Sequence, residues 1–146
     1  MSQPLDLRAK APRRPLDSSL AERAAQAARD YAAQRGSTVS VAVVDESGNL
    51  VYFSRGNDCA FVSYETARGK AVLAAGFRQP THTLMSESAG RAAFWASVSE
   101  KLGIVIAAGG YPLTQDGYII GGVGCGGAHG DVDQLSAEAA ANAVNT

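Results

Sequence analysis

The two histidines, the two cysteines and Lys70 offer most of the side-chain chemistry in this sequence. His82 follows a Pro-Thr pair, where an imidazole could act as an acid or base near neutral pH, or remain a solvated, hydrogen-bonded loop residue. His129 follows Cys125 by four residues in a glycine-rich stretch, which allows a thiolate–imidazole pair but fixes no geometry for it. The candidate catalytic residues are therefore His82, Lys70, His129 and Cys125.

The glycine-rich stretch and the scattered histidines and cysteines do not fit the patterns of two common cofactor sites. Zinc ligands usually come in closely spaced pairs, which this sequence lacks. Gly122, Gly124 and Gly127 formally match a dinucleotide fingerprint, but no room remains for the βαβ unit or for an acidic residue about 20 positions later. We therefore expect neither zinc nor a nicotinamide cofactor. The glycines better suit backbone amides that face a carboxylate or an oxyanion.

Basic and aromatic side chains could bind an anionic ligand. Lys70 could hold a carboxylate as a point charge, or could be a surface lysine paired with Glu65 or Asp58. Arg55 could clamp an anion with two hydrogen bonds or form a salt bridge to the same acids. Tyr111 could donate its hydroxyl to the ligand or pack half-buried at a strand end. The predicted ligand-binding residues are Arg55, Lys70, Thr81, His82, Gly109, Gly110, Tyr111, Gly124 and Gly126.

Composition indicates one folded domain. The chain has 146 residues, of which 46% are hydrophobic and 18% are charged, and its net charge is -1. This length can bury a core, and this charge gives no reason to expect nucleic acid as a partner. No apolar run approaches the roughly 20 residues of a membrane helix, and two cysteines make no disulfide framework. We therefore expect a cytoplasmic protein without a membrane partner.

The N-terminal segment differs in composition from the rest of the chain. Residues 1–16 contain Pro4, Pro12 and Pro15 among basic side chains. This composition predicts a flexible tail, with an arm around a neighbouring subunit as the alternative. Residues 17–146 are expected to form the single domain.

Apolar residues at helical spacing predict several helices. The first spans about 20–35, with Ser19 and Glu22 as a capping box, and the second spans about 63–77. A further helix begins at Ser86 or Ser88. It runs through Phe94, Trp95 and Val98. One of its two adjacent aromatics is expected to fill the core, and the other to line a pocket or meet another chain.

The predicted helices assign positions to three polar residues. Ser63 can cap the second helix, and Lys70 lies off its apolar stripe. The last helix begins at Asp131 or Asp133, and Asp133 most simply caps it. This helix carries Leu135, Ala139 and Ala143 on one side.

Strand patterns predict a sheet of five antiparallel strands. A hairpin joins 39–45 to 50–55, with Val39, Val41 and Val43 on one face. A third strand covers 104–108, and two more flank a Gln-Asp-Gly turn, the second being 118–123. Because helices must cover such a sheet, we predict an α/β fold of the α+β type, a profilin-like α/β/α sandwich.

The hairpin from Gly109 to Gly127 is expected to close the sheet and to form the wall of a binding site. Glycine packs nothing within a strand and is tolerated where a backbone bends or where a ligand or a second subunit approaches closely. The density of glycines after residue 120 therefore predicts such an approach.

Several segments together resemble the GlcG/HbpS-like family, also named the haem-degrading domain family, which includes the C-terminal domain of PduO-type proteins. The segments are VAVVDESGNLVYFSRGNDCA, ETARGKAVLAA with PT soon after it, GGYPLTQDGYIIGGVGCGG, and a small-residue helix at Asp133. The resemblance covers about residues 18–145. It implies a profilin-like fold and homo-oligomers, from dimers up to octamers.

The resemblance also implies a ligand. It suggests an oligomeric protein that binds haem, a related tetrapyrrole or a small organic acid, with His82 as a possible haem ligand and Lys70 near a propionate. Two alternatives remain. One is a cofactor-independent isomerase, lyase or cyclase acting on a small or aromatic substrate, suggested by Cys125, Gly126 and His129. The other is a structural or interaction module in a larger assembly.

Overall fold

The computed structural model describes residues 16–129 and 131–146, so the predicted tail lies outside the described residues except for Leu16. The helices are α1 (Ser18–Ala33), α2 (Ser63–Phe77), α3 (Thr81–Ser88), α4 (Ala92–Leu102) and α5 (Val132–Val144), with a 3-10 turn at Ala89–Arg91. The strands are β1 (Ser40–Asp45), β2 (Leu50–Ser54), β3 (Gly110–Gln115) and β4 (Tyr118–Gly126).

Within the described residues the sheet has four antiparallel strands in the order β2-β1-β4-β3, so the prediction of five strands was wrong. Ile104–Ala108, the expected third strand, forms no ladder in the structure. This segment packs on α2 instead, so closely that a Cβ built on Gly69 would lie 2.5 Å from Val105 Cγ2. Its first residue joins a buried cluster with Leu73 and Trp95.

Helices cover both faces of the sheet, as expected. Alternate residues of β1 enter two different cores, because successive side chains of a strand point to opposite faces. Val39, Val41 and Val43 share one core with alanines of α1 and α5, which confirms their predicted common face. On the other face, Ala42 and Val44 pack against alanines of α2. The result is a three-layer arrangement with the sheet in the middle.

The β3–β4 hairpin forms at the predicted turn. Asp116 and Gly117 have φ angles of 53° and 81°, and two positive values suit the twist of a two-residue hairpin. β4 extends to Gly126, three residues beyond its predicted end. A Cβ at Gly124 would lie 2.0 Å from the Ala67 carbonyl oxygen, so only glycine allows α2 to pack at this distance. The glycines were expected to admit a ligand or a second subunit, but in the structure they admit α2 of the same chain.

Two predicted helix caps differ in the structure. Asp17, rather than Ser19, caps α1, since its carboxylate accepts a hydrogen bond of 2.8 Å from the Leu20 amide. Ser63 makes no capping bond to α2. Its hydroxyl lies 2.8 Å from the Ser40 hydroxyl and thereby links the start of α2 to β1.

The predicted helix around Phe94 is in fact two helices, α3 and α4, joined by the 3-10 turn. Trp95 fills the core at 4% exposure, whereas Phe94 is 36% exposed at its margin. In α5 the buried side is not the one that carries Leu135, which was grouped with Ala139 and Ala143 from the sequence. Ala137 and Ala141 are fully buried, while Leu135 is 38% exposed. Alanine is too uniform along this helix for spacing to distinguish its faces.

Candidate functional site

The most concentrated chemistry lies where α2, α3 and α5 meet the start of β3 and the end of β4. Lys70, predicted to lie off the apolar stripe, is only 5% exposed. Its Nζ donates to the Cys125 carbonyl oxygen at 2.9 Å and lies 3.4 Å from Asp133 Oδ2. Asp133 was expected to cap α5, but its carboxylate pairs with Lys70 and accepts from the Ala128 amide at 3.2 Å.

Gly109 brings the backbone of the hairpin against this ion pair. Its φ is 130°, and a Cβ there would lie 2.9 Å from Lys70 Nζ. Both the backbone conformation and the lack of space therefore exclude a side chain at this position. The Gly109 amide donates to Gln134 Oε1 at 2.6 Å, and its carbonyl accepts from the Cys125 amide at 2.7 Å. The close backbone approach places every polar group of Gly109 in a hydrogen bond.

Thr81 and Gln134 complete the arrangement at the outer edge of β3. The Gly110 amide donates to Thr81 Oγ1 at 2.8 Å, and Gln134 Nε2 donates to the Gly110 carbonyl at 3.1 Å. Thr81 Oγ1 in turn donates to Gln134 Oε1 at 3.3 Å. We call Lys70, Thr81, Gly109, Asp133 and Gln134 the buried polar network. Gln134 was missed in the sequence, where its only signal is a polar residue in the first turn of an alanine-rich helix.

Burial controls the electrostatics of this network. Burial raises the pKa of Asp133, while the Lys70 ammonium opposes the rise. Their separation of 3.4 Å exceeds the roughly 2.7–2.9 Å of a strong charged hydrogen bond, so the attraction only partly offsets desolvation. Burial also raises the pKa of the Cys125 thiol, which belongs to the core beneath α1 and α5. This shift opposes the thiolate that a Cys125–His129 pair would need.

Both histidines are exposed and lie beside the network. His82 is the second residue of α3 and directly follows the buried Thr81. His129 lies shortly before α5, and its charge acts to lower the pKa of Asp133, against the larger effect of burial. The structure therefore presents two accessible imidazoles next to a rigid, fully hydrogen-bonded scaffold.

The remaining predicted site residues are dispersed. Arg55 follows β2, at the edge of the sheet opposite to β3, and is exposed. Tyr111 is half-buried against the core beneath α1 and α5. Gly124 and Gly126 face α2 rather than open space. The structure thus groups Lys70, Thr81, Gly109 and Gly110, places His82 and His129 beside them, and separates Arg55 from the group.

Across residues 16–129 and 131–146, no group of three His, Cys, Asp or Glu side chains is arranged to hold a metal ion. None of the helices in the same residues is both long enough and apolar enough to cross a bilayer.

Fold and site together define an α+β protein whose antiparallel sheet is covered by helices. A buried ion pair between Lys70 and Asp133 lies near the β3 edge of that sheet. The family model for haem degrading protein HbpS-like matches residues 16–142, and the chain belongs to this family. The chain is also 35% identical to protein GlcG of Escherichia coli K12 over 113 residues, which are 75% of this chain and 79% of GlcG.

Solved structures agree with this assignment. A double mutant of HbpS from Streptomyces reticuli matches with a TM-score of 0.83 at 32% identity, covering 100% of this chain and 99% of that chain. The PduOC–haem complex matches with a TM-score of 0.79 at 31% identity, covering 90% and 96% of the two chains. The corrinoid adenosyltransferase PduO of Salmonella typhimurium is 35% identical over 121 residues, but these are only 36% of its length.

Proposed function

We propose that this protein binds haem, or a closely related tetrapyrrole, within a homo-oligomer. The observation that carries the proposal is the match to the PduOC–haem complex over 90% of this chain at 31% identity. Membership of the HbpS-like family, whose description is haem degrading, supports the same ligand class.

The donor set at the β3 edge fits such a ligand. His82 offers an exposed imidazole on α3, and imidazole is a common axial ligand of haem iron. Met85 lies three residues further on, on the same side of the helix, and is 43% exposed, which provides apolar surface for a porphyrin. When bound, haem supplies a redox-active iron centre.

The buried polar network positions this donor rather than contacting the ligand. Thr81 fixes the first turn of α3 to Gly110 and Gln134, and His82 is the next residue. Lys70 is occupied by Asp133 and the Cys125 carbonyl, so we assign it to the scaffold rather than to a propionate. His82 is therefore held by its backbone while its ring remains accessible.

The oligomer is supported by exposed apolar side chains. Phe61 and Val62, just before α2, are 84% and 51% exposed, and Leu102 at the end of α4 is 49% exposed. Contact with a second copy would remove this surface from water. Light scattering of the purified protein should give a mass above that of one chain, and a monomer at micromolar concentration would contradict this part of the proposal.

The enzyme alternative receives less support. It depended on Cys125 beside His129, but the Cys125 thiol is fully buried and its pKa is raised. A buried, protonated thiol is a poor nucleophile. We therefore propose no catalytic role for Cys125.

Titration of the apoprotein with haemin, followed by Soret absorbance, tests the proposal. The wild-type protein should show a saturable Soret shift, and His82→Ala should weaken binding and move the Soret maximum. His129→Ala is the matched control, because it removes the second exposed imidazole without touching α3. No Soret shift in the wild type would overturn haem binding, and identical spectra for wild type and His82→Ala would overturn the assignment of the ligand.

A further inference from the structure

A concave surface lies at the β2 edge of the sheet, away from the buried polar network. It is an open cavity of about 380 Å³ between the C-terminal part of α1, residues 37–39 and the end of β2. Its polar lining includes Arg29, Ser37, Thr38, Ser54, Arg55 and Asn57. None of the residues that line it in the described part of the chain is acidic, so its charged groups are two guanidinium ions.

The two arginines differ in how they are held. Arg29 is half-buried, and its two terminal nitrogens donate to Gln26 Oε1 and Ser54 Oγ, which fixes the guanidinium at the cavity wall. Its planar group has five donors, so several remain for a ligand. Arg55 has neither a hydrogen bond nor an ion pair to another described residue. One arginine is therefore preoriented, and the other is free to close on a ligand.

Neutral groups add donors at the same place. Because Ser54 Oγ accepts from Arg29, its own hydroxyl proton remains available to a ligand. Thr38 Oγ1 is already used, donating to the Asn57 carbonyl at 3.0 Å. The Gly56 amide donates to Ser40 Oγ at 3.0 Å, which holds the turn that presents Arg55. The wall is thus rigid on the β2 side and rich in donors.

Arg29 and Arg55 are not needed to hydrogen-bond the C-terminal carbonyl groups of α1. The Ser37 amide donates to the Ala32 carbonyl at 3.0 Å, and the Gly36 amide donates to the Ala33 carbonyl at 3.0 Å. Arg35 donates to the Tyr31 carbonyl at 3.2 Å. These bonds satisfy the last carbonyls of the helix, which would otherwise attract cations. Among the described residues that line the cavity, no acidic side chain balances its positive charge.

We propose that this cavity binds a small oxyanion, a carboxylate or a phosphate group, through Arg29, Arg55 and the Ser54 hydroxyl. Planar guanidinium groups match carboxylate and phosphate oxygens with paired hydrogen bonds. The site is separate from His82, because Arg55 follows β2 whereas Thr81 binds β3, and three strand spacings, about 14 Å, lie between those strands. The site goes beyond the proposed binding of haem and does not depend on it.

Isothermal titration calorimetry with inorganic phosphate and, separately, with malonate tests this site and tells the two anion classes apart. Saturable binding of either anion is expected, and Arg55→Gln should weaken it about tenfold or more, the loss of charged hydrogen bonds. Arg23→Gln is the matched control, since it removes the same charge from an exposed position of α1 outside the cavity. Amide NMR shifts should concentrate at Ser37, Ser54 and Asn57.

Two results would overturn the proposal. One is the absence of saturable binding of both anions at millimolar concentration. The other is binding that Arg23→Gln weakens as much as Arg55→Gln, because that would indicate a response to total charge rather than to a site.

Arg29→Lys provides a second variant that keeps the charge and removes the planar guanidinium group, and it should also weaken binding. A thermal unfolding scan of each variant confirms that it is folded.

Discussion

The two edges of the sheet use polar groups in opposite ways. At the β3 edge, side chains of Thr81, Gln134 and Asn145 occupy the outward-facing amides and carbonyls of the strand. Pro112 removes one further donor there. At the β2 edge the strand is only five residues long, and Arg55 beyond it donates to no other residue that the structure describes.

This difference separates polar groups that stabilise the fold from polar groups that remain available to a ligand. A fully hydrogen-bonded polar cluster contributes rigidity and has nothing left to offer a ligand. A free guanidinium in a cavity contributes little to stability and retains its full capacity to bind. Substitutions within the buried polar network should therefore lower stability, whereas substitution of Arg55 at the β2 edge should alter binding alone.

The largest effect is expected for Lys70→Met, which keeps the length of the side chain and removes the charge. It leaves Asp133 as an unpaired buried carboxylate, which should lower the free energy of unfolding by about 3–5 kcal/mol. Urea denaturation measures the loss, and Lys101→Met on the exposed side of α4 is the control. A loss equal to that of the control would show that the pair does not stabilise this edge.

Thr81→Val should have the next largest effect. The valine has nearly the same shape but leaves the Gly110 amide without its acceptor, which should cost about 1–3 kcal/mol of unfolding free energy. Thr83→Val on the same helix is the matched control, since that hydroxyl is only half-buried. Equal losses from the two substitutions would contradict the role assigned to the Thr81 hydroxyl.

Asp133 should also make stability depend on pH. Its pKa is raised by burial in the folded state, so the folded protein binds more protons than the unfolded chain in the window above the ordinary value of about 4. The contribution of Asp133 is therefore complete below that value and is lost as pH rises through the raised pKa.

Urea denaturation of the wild type and Asp133→Asn between about pH 3 and pH 7 measures this contribution. The wild type should lose stability relative to the variant as pH rises through the window. A wild type that gains stability relative to the variant would mean that the pKa of Asp133 is lowered, and that Lys70 outweighs burial.

Arg55→Gln should have the smallest effect on stability. An exposed arginine without a described partner should change the free energy of unfolding by no more than about 0.5 kcal/mol. The same denaturation experiment measures it, with Arg23→Gln as the reference. A loss comparable to that of Thr81→Val would erase the distinction between the two edges.

Local sequence signals predicted much of the fold. The limits of Ser63–Phe77 were found from periodicity, and the turn at Asp116 and Gly117 from the need for positive φ. The family was identified from its motifs. These features succeed because each depends on residues that are neighbours in the chain.

The buried polar network could not be predicted in the same way. Lys70 and Asp133 are 63 residues apart, and nothing local distinguishes a buried lysine from an exposed one. Ile104–Ala108 has the composition of a strand, but its contacts with α2 take it away from the sheet. Thr81 and Gly109, which the sequence analysis named as ligand-binding residues, lie in this network, whereas Gln134, their common partner, was not named.

Native mass spectrometry is the sharpest test of the proposed binding of haem. The untagged protein should be purified from its own host and examined together with the absorbance spectrum of the same sample. We expect an oligomer whose mass includes haem and whose spectrum has a Soret band. A colourless protein with no haem mass, or with a different bound small molecule, would contradict the claim.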